Sequence, residues 1–265
     1  MDGLHSSLQP LVPAMSSGPD HGWFDAVATS YQHCRPRYPD QLFRWLADQT
    51  THHHCCWDVA CGSGQASLGL AQWFDRVEAT DLSPAQIAAA PAHPRIHYRV
   101  AAAEQSGLMD ASLDAVVVAA AIHWLKVPHF NLEVQRVLRP GGLLAWVGYD
   151  PLQGAPPALQ TWLDQLYHQR LHRWWPPERA HVDQRYSDLP FPGSSETIPS
   201  QLRIELQWSM DQLLGFISTW SALRRADQAP ALMTALRNEL EALWPEGETH
   251  LHFHLPLMGR WGLLP

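Results

Sequence analysis

Short apolar runs alternate with amphipathic stretches through the first half of the chain. The apolar runs "CCWDVA", "RVEAT", "IHYRV", "LDAVVVAA" and "LLAWVGY" predict buried strands. The stretches "PDQLFRWLADQ", "GQASLGLAQWF", "LSPAQIAAA" and "VPHFNLEVQRVL" carry apolar residues at helical spacing and predict helices between them. This alternation predicts an α/β fold: a doubly wound, mostly parallel, seven-stranded sheet with helices on both faces.

The alternation stops after Tyr149, and residues 151–200 are rich in Pro and Trp. Such a segment predicts a cap or lid inserted over the sheet. Beyond it, "QLRIELQWS" predicts a strand, "MDQLLGFISTWSALRR" and "ALMTALRNELEALW" predict two helices, and "THLHFHLPLMGRW" predicts an antiparallel strand at the C-terminal edge of the sheet. We therefore expect a cofactor-binding core over residues 21–150 and, over residues 201–265, the completion of the sheet with helices that line a substrate pocket.

Composition and charge narrow the class of protein. Residues 1–20 mix Ser, Pro and Gly without periodicity, which predicts a flexible leader. The net charge of -8 and the lack of a Lys/Arg run disfavour nucleic acid as a partner. No apolar stretch has the length of a membrane span, and four cysteines in 265 residues do not form a disulfide framework. The sequence predicts a cytoplasmic protein with a small-molecule partner, for which the 13 tryptophans are suitable pocket walls.

A glycine-containing loop follows the first predicted strand of the sheet. In "DVACGSG", Gly62 and Gly64 stand where a strand turns into a helix, a position at which bare backbone can approach a nucleotide. A dinucleotide-binding fingerprint would have a third glycine at position 67, which is Ser67, and the Gly-Lys-Ser/Thr of a P-loop is lacking.

Two acidic residues indicate the charge of the ligand. Asp58 precedes the glycine loop, where a carboxylate would repel a pyrophosphate and attract a cation. Asp81 ends the second strand, where a carboxylate can accept hydrogen bonds from ribose hydroxyls. Together they predict a positively charged nucleoside as the ligand.

A metal site is the main competing interpretation of the tract "THHHCC". Neighbouring residues of a strand point to opposite faces, so His52 to Cys56 cannot converge on one ion, and no second ligand pair stands at zinc-finger spacing. Cys61 lies inside the glycine loop, where a small residue is needed, and it has no base partner that would make it a nucleophile. We therefore predict no metal site.

At this point the chain resembles the class I S-adenosylmethionine-dependent methyltransferases, in particular the small-molecule group of methyltransferase type 11 proteins that includes trans-aconitate methyltransferase. The motifs are "FDAVATSYQHCRPRYP", "DVACGSGQ", "ATDLSPAQI", "AAAEQSGLMDASLDAVVVAAAIHWL" and "RVLRPGGLLAWV". Each motif alone is weak evidence for a family, but all five in this order are strong evidence. The resemblance covers residues 23–149 well and the rest of the chain loosely.

The resemblance implies S-adenosylmethionine as the cofactor and several groups of residues that contact it. The methionine part would lie against the glycine loop, the ribose against Asp81 and the adenine beside the residues that follow the second and third strands. The N-terminal motif would close over the cofactor, with an arginine fork at its carboxylate. The implied cofactor-binding residues are Tyr31, Arg35, Asp58, Ala60, Gly62, Gly64, Asp81, Leu82, Ala103, Glu104 and Ala119.

The acceptor site is predicted at the carboxyl edge of the sheet. His123 follows the fourth strand there, and its ordinary pKa near neutrality suits either a general base or a group that orients the acceptor. The predicted substrate-binding residues are Trp23, Tyr38, Trp124, Trp174 and Trp220. The acceptor is expected to be an apolar or aromatic small molecule or a carboxylic acid.

Several reactions fit these features. O-methylation of a carboxylate or hydroxyl ranks first, because the resemblance to trans-aconitate methyltransferase favours carboxyl O-methylation, and the protein then contributes mainly alignment in a dry pocket. N-methylation of a small molecule and a cofactor-binding protein without catalysis are alternatives. An NAD-type oxidoreductase has a similar sheet, but Asp58 and Ser67 disfavour it.

Overall fold

The computed structural model describes residues 35–265, and all structural statements concern this part of the chain. The predicted leader over residues 1–20, together with Trp23 and Tyr31, lies outside the described residues. The structure has one sheet of eight strands. Their bounds are β1 Cys55–Val59, β2 Arg76–Asp81, β3 Ile96–Val100, β4 Leu113–Ala119, β5 Leu138–Tyr149, β6 Glu196–Thr197, β7 Arg203–Trp208 and β8 Leu251–Leu263.

The strand order places the first strand near the middle of the sheet. The order is β3-β2-β1-β4-β5-β8-β6, and β7 pairs with β8 as well. Strands β1 to β5 are parallel to their neighbours, whereas β8 is antiparallel to β5, β6 and β7. The predicted doubly wound α/β fold, with an antiparallel strand from the C-terminus, is confirmed. The two-residue strand β6 is an additional strand that the sequence did not predict.

Burial on both faces explains why the central strands are apolar throughout. In β4 every residue except the last is buried, because helices cover both sides of a parallel sheet. One face packs around Phe43, Leu70 and Phe74, and the other packs around Trp57, Phe130 and Trp146. The carboxyl ends of β1 and β4 therefore emerge side by side from a fixed core, which positions the loops that follow them.

Nine helices accompany the strands in the described part of the chain. Their bounds are α1 Asp40–Asp48, α2 Gln65–Leu70, α3 Pro84–Ala89, α4 Val127–Val137, α5 Pro157–Gln165, α6 Arg179–Asp183, α7 Met210–Ser218, α8 Ser221–Arg225 and α9 Ala229–Leu243. Local signals begin several of them. In α3 the Ser83 side chain accepts a hydrogen bond from the backbone N–H of Gln86 at 3.2 Å, and Pro84 occupies the first turn.

One predicted helix, over residues 210–225, is wrong and is divided in two. The chain leaves the helical conformation at Trp220, whose backbone is extended with φ -67° and ψ 133°. The hydroxyl of Thr219 donates to the backbone oxygen of Phe216 at 2.6 Å, and a guanidinium nitrogen of Arg35 donates to the backbone oxygen of Thr219 at 3.2 Å. These bonds satisfy polar groups that a continuous helix would use itself, so α7 ends and α8 begins there.

The segment over residues 151–200 is more regular than its composition indicates. It contains α5, a turn of π-helix at Leu166–Arg170, a turn of 3-10 helix at His172–Trp174, α6 and β6. Leu159, Leu163, Leu166 and Leu171 bury their side chains in the core beside the sheet. This segment is therefore anchored by apolar contacts. No helix within residues 35–265 is long and apolar enough to cross a membrane.

Candidate functional site

The glycine loop between β1 and α2 exposes bare backbone beside the second strand. Gly62 has φ +55° and Gly64 has φ +84°, a left-handed conformation that glycine adopts without strain. A Cβ at Gly62 would meet only Gln86 Oε1, at 3.7 Å, so the space over this residue is open. Ala60 also has a positive φ, +50°, which costs an alanine backbone energy and is typical of functional turns.

Asp58 lies within β1, next to this loop, and is fully buried. The hydroxyl of Ser67 donates to Asp58 Oδ2 at 2.5 Å, so the residue that replaces the third glycine holds the carboxyl group. Asp58 Oδ1 is buried and has no hydrogen-bond partner within residues 35–265. Burial raises the pKa of Asp58 to about 7, against the lowering effect of the Ser67 hydrogen bond. When Asp58 is ionised, only the Ser67 hydrogen bond stabilises its negative charge among the described residues.

Asp81, the last residue of β2, joins the second strand to the glycine loop. Its Oδ2 accepts a hydrogen bond from the backbone N–H of Gly62 at 2.8 Å, and its Oδ1 accepts one from the N–H of Ser83 at 2.8 Å. Leu82, which follows it, is 42% exposed. The structure thus brings Asp58, Gly62 and Asp81 together at the carboxyl ends of two adjacent strands.

The residues that follow β3 and β4 complete this edge of the sheet. Ala103 is buried, and Glu104 Oε1 accepts a hydrogen bond from the backbone N–H of Lys126 at 3.1 Å, just before α4. Ala119 ends β4 and is half-buried. Ala120 has φ +53° and donates its N–H to the oxygen of Val147 at 2.7 Å. The strained turns after β1 and β4 therefore stand at neighbouring strand ends.

A pocket opens at the carboxyl ends of β4 and β5, under the 151–200 segment. Its polar lining consists mainly of Arg35, His123, Tyr149, Tyr167, Arg179 and Tyr186. Aromatic walls come from Trp124, Trp175, Phe216 and Trp220. The pocket therefore combines two guanidinium groups with large flat rings, and it lies in the region where doubly wound sheets bind their ligands.

His123 is held in this pocket by aromatic neighbours. Its ring stacks on Tyr186 with centroids 6.2 Å apart, and it lies 4.7 Å from Trp124. Burial, together with the positive charges of Arg179, His181 and Arg35, lowers the pKa of His123 to about 3. Nδ1 is buried without a hydrogen-bond partner among the described residues. The imidazole is consequently neutral at neutral pH.

The predicted substrate-binding residues are divided between the pocket and its surroundings. Trp124 and Trp220 line the pocket, whereas the neighbour of Trp174, Trp175, does so in its place. Trp174 packs under Arg173, whose guanidinium carbon is 4.2 Å from the ring centroid. Tyr38 stands behind the lining, with its ring 6.4 Å from that of Tyr149. Trp23 is outside the described residues.

Arg35, predicted at the cofactor carboxylate, lies in the same pocket. Its Nη1 donates to the hydroxyl of Tyr149 at 2.6 Å, and its Nη2 donates to the backbone oxygen of Thr219. Its guanidinium carbon is 5.8 Å from the ring centroid of Phe216. Arg35 thus connects the start of the described chain to β5 and to the break between α7 and α8. Tyr31, its predicted companion, lies outside the described residues.

The pocket residues that reasoning from the sequence missed include Tyr149, Tyr167, Arg179, Tyr186 and Phe216, whereas Trp175 was a candidate wall as half of the Trp174-Trp175 pair. Tyr149 could have been found, because it ends a predicted strand at the carboxyl edge of the sheet. The stretch "RWWPPERAHV" places Trp175 and Arg179 close together in sequence, which is a weaker signal. Nothing local indicates that Tyr186 returns to stack on His123.

Neither metal ligation nor thiol chemistry is indicated at this site. Within residues 35–265 no group of three or more His, Cys, Asp or Glu side chains is arranged to hold a metal ion. Burial raises the pKa of the Cys61 thiol far above its usual range, so this cysteine remains protonated.

Known proteins match the chain over both the core and the C-terminal part. A methyltransferase domain model matches residues 57–146, from β1 to β5. A protein of Dictyostelium discoideum described as a methyltransferase is 31% identical over 206 residues, which is 75% of this chain and 76% of that protein. A Mycobacterium tuberculosis protein described as a methyltransferase is 34% identical over 125 residues, covering 47% of this chain and 51% of its own length.

A solved structure extends the match to nearly the whole described fold. A protein from Anaeromyxobacter dehalogenans described as a type II methyltransferase has 43% sequence identity and a TM-score of 0.79, covering 87% of this chain and 99% of that chain. An identity this high over this share of both chains shows that the two proteins belong to the same family. With the glycine loop, Asp58 and Asp81 at the expected strand ends, the chain belongs to the class I S-adenosylmethionine-dependent methyltransferases.

Proposed function

We propose that the chain transfers a methyl group from S-adenosylmethionine to an oxygen atom of a small molecule, with a carboxylate or a hydroxyl as the accepting group. The observation that carries the proposal is the pocket at the ends of β4 and β5, which contains Arg35, His123 and Arg179 among aromatic rings. Strand β4 lies next to β1, so the pocket is close to the glycine loop that follows β1. An enclosed site of this kind excludes water and aligns a flat acceptor.

The residues of the glycine loop fit S-adenosylmethionine by charge and space. The donor carries an ammonium group that can donate to Asp58 Oδ1, which lacks a partner among residues 35–265. Asp81 offers its carboxylate to ribose hydroxyls, and the open space over Gly62 admits the methionine chain. Leu82, Ala103 and Glu104 would flank the adenine. In this proposal Ala60, Gly64 and Ala119 shape the backbone around the donor.

The transfer requires little acid–base chemistry from the protein. When bound, S-adenosylmethionine supplies a methyl group attached to a positively charged sulfur. The acceptor oxygen would take this methyl group and leave the donor as a neutral thioether; a carboxylate has no proton to lose, and a hydroxyl would release its proton to solvent. The protein holds the acceptor oxygen in line and excludes water. Within this proposal, the 151–200 segment acts as the cap that closes the acceptor side, and Trp124 and Trp220 act as walls.

Replacing His123 by alanine should lower turnover about tenfold and leave the affinity for S-adenosylmethionine nearly unchanged. The expected loss corresponds to one orienting hydrogen bond, ~1.4 kcal/mol, because an imidazole with a pKa of about 3 is a poor base at neutral pH. At saturating S-adenosylmethionine the rate should therefore be flat with pH near neutrality. Initial rates and calorimetric titrations of both proteins check this, and a wild-type rate in the variant would assign His123 a structural role only.

The affinity for S-adenosylmethionine should rise with pH up to about 7. Asp58 has a pKa of about 7 in the donor-free chain, and a bound ammonium group favours the ionised carboxylate. Binding then releases a proton, so the association constant increases up to about tenfold per pH unit below that pKa and levels off above it. Titration calorimetry across this range, in buffers with different ionisation heats, measures the proton release.

The matched variant for this pH dependence is Asp58→Asn, which cannot titrate. Any remaining slope in the variant belongs to the donor itself, and the difference between the two proteins belongs to Asp58. Equal slopes in both proteins would show that Asp58 does not ionise on binding.

The acceptor is tested by product analysis. Labelled S-adenosylmethionine is incubated with the protein and a panel of acids, phenols and amines, and the products are identified by mass spectrometry. Methyl esters or methyl ethers are expected. Methylated amines alone would favour the alternative of N-methylation. The cytoplasmic location expected from the sequence stays a prediction.

A further inference from the structure

We propose that the acceptor pocket binds a molecule with a carboxylate attached to an aromatic ring, and that Arg179 is the residue that selects the carboxylate. This inference rests on the proposed function and specifies the substrate class of the same site. It uses a side chain of the 151–200 segment, outside the matched methyltransferase domain of residues 57–146.

Arg179 is held rigidly at the pocket wall. Its Nε donates to the hydroxyl of Tyr167 at 2.7 Å, and its Nη2 donates to the same oxygen. The guanidinium carbon lies 5.3 Å from the ring centroid of Tyr167 and 5.2 Å from that of Trp175. Nη1 makes no hydrogen bond within the described chain. A guanidinium fixed in this way keeps donors for a ligand and loses little conformational entropy on binding.

Arginines outnumber carboxylates along the pocket lining. Arg35 brings a second guanidinium group, which already donates to Tyr149 and Thr219. Asp150 also lines the pocket, but its carboxylate is bound by Arg185, with Nη2 to Oδ2 at 2.5 Å and Nε to Oδ1 at 3.2 Å. Asp183, outside the lining, forms an ion pair with Arg179, with Oδ1 3.8 Å from Nε, and accepts from the hydroxyl of Tyr167 at 3.1 Å. Neither carboxylate occupies Nη1 of Arg179, which is the donor that an anion can use.

His123 lies beside the same guanidinium groups of the pocket. After burial, the largest causes of its lowered pKa are the charges of Arg179, His181 and Arg35. A neutral imidazole adds no charge of its own, so it does not oppose an anion. The potential that disfavours a protonated histidine is the same potential that attracts a carboxylate.

The shape of the pocket accounts for the aromatic part of the proposed acceptor. Trp175 and Trp220 pack against each other at a 41° tilt with centroids 5.9 Å apart, and Tyr167 meets Trp220 edge-on at 5.6 Å, so the three rings form one aromatic wall. Tyr186 stacks on His123 across the site. Flat rings gain contact against such walls, while a long aliphatic chain would not match their geometry. The Arg179 fork at one side of these walls orients the carboxylate of a planar acid.

The test measures the binding of acceptor-like acids and does not depend on turnover. Benzoate, phenylacetate and naphthoate, each beside its primary amide, are titrated by saturation-transfer NMR into the full chain with S-adenosylhomocysteine present. We expect at least one acid to bind the wild type about tenfold more tightly than its amide, the difference that a charge-assisted contact gives. In Arg179→Gln this preference should disappear, and in Arg179→Lys it should be reduced.

Arg173→Gln is the matched control. Arg173 belongs to the same segment and stacks on Trp174, but it does not line the pocket, so the preference for the acid should persist. Thermal unfolding verifies that each variant is folded. Equal binding of acids and amides, no binding of any probe, or an unchanged preference in Arg179→Gln would overturn the proposal. Methyl ethers of phenols formed without a preference for acids would overturn it and leave the proposed O-methylation in place.

Discussion

Replacing Asp81 by alanine is expected to weaken the binding of S-adenosylmethionine by about ten- to 150-fold, equivalent to ~1.5–3 kcal/mol. In the structure the carboxylate holds the glycine loop through the N–H groups of Gly62 and Ser83. In the proposed function it also accepts hydrogen bonds from the ribose. The variant loses both, so we expect a lower affinity measured by calorimetric titration.

Two further variants separate these functions. Asp81→Asn retains one acceptor oxygen without the charge and should bind with an affinity between those of the wild type and Asp81→Ala. Asp75→Ala is a matched control, because Asp75 is an exposed carboxylate just before β2 whose side chain contacts that of His54. It should bind like the wild type. An unchanged affinity in Asp81→Ala would refute the assignment of Asp81.

Replacing Gly64 by alanine should lower the free energy of unfolding by about 1–3 kcal/mol and abolish tight donor binding. Gly64 has φ +84°, and a Cβ there would lie 2.3 Å from the hydroxyl oxygen of Tyr98 and 2.8 Å from its ring. Relief requires either the loop or the Tyr98 ring on β3 to move. Because the loop carries the donor site, displacement affects both stability and binding.

A second glycine separates steric overlap from backbone strain. Gly141 has φ +76°, but a Cβ there would meet nothing within 4 Å, so Gly141→Ala reports the conformational cost alone. Gly64→Ala should be clearly less stable than Gly141→Ala in chemical unfolding. Tyr98→Ala in the Gly64→Ala background should recover part of the loss, which a double-mutant cycle measures. Equal stability of the two glycine variants would contradict the role of Tyr98.

The core of the fold could be predicted because its strands are buried on both faces. In β4 and β1 burial on both faces requires mostly apolar residues, and each strand has one buried aspartate, Asp114 and Asp58. The glycine loop was predictable for a related reason, since a strand end, two glycines and a carboxylate are all local in sequence. Asp81 could be predicted because an acidic residue is expected at the end of the strand that follows the glycine loop.

The acceptor pocket was less predictable because its contacts are not local. His123 and Tyr186 stack although they are far apart in the chain, and Arg35 reaches Tyr149 and Thr219 across the fold. Periodicity also cannot distinguish Trp174 from Trp175, whose roles depend on how one 3-10 turn ends. The helix break at Trp220 likewise depends on a hydrogen bond from Arg35, which no pattern within α7 or α8 reveals.

The central claim is that the glycine loop and its two carboxylates form a site for a cationic methyl donor. Calorimetric titration of the full chain with S-adenosylmethionine, S-adenosylhomocysteine and NAD tests it most directly, with Asp81→Ala in parallel. We predict that the first two ligands bind at one site per chain, that NAD does not, and that Asp81→Ala weakens both. Binding of NAD alone would contradict the account.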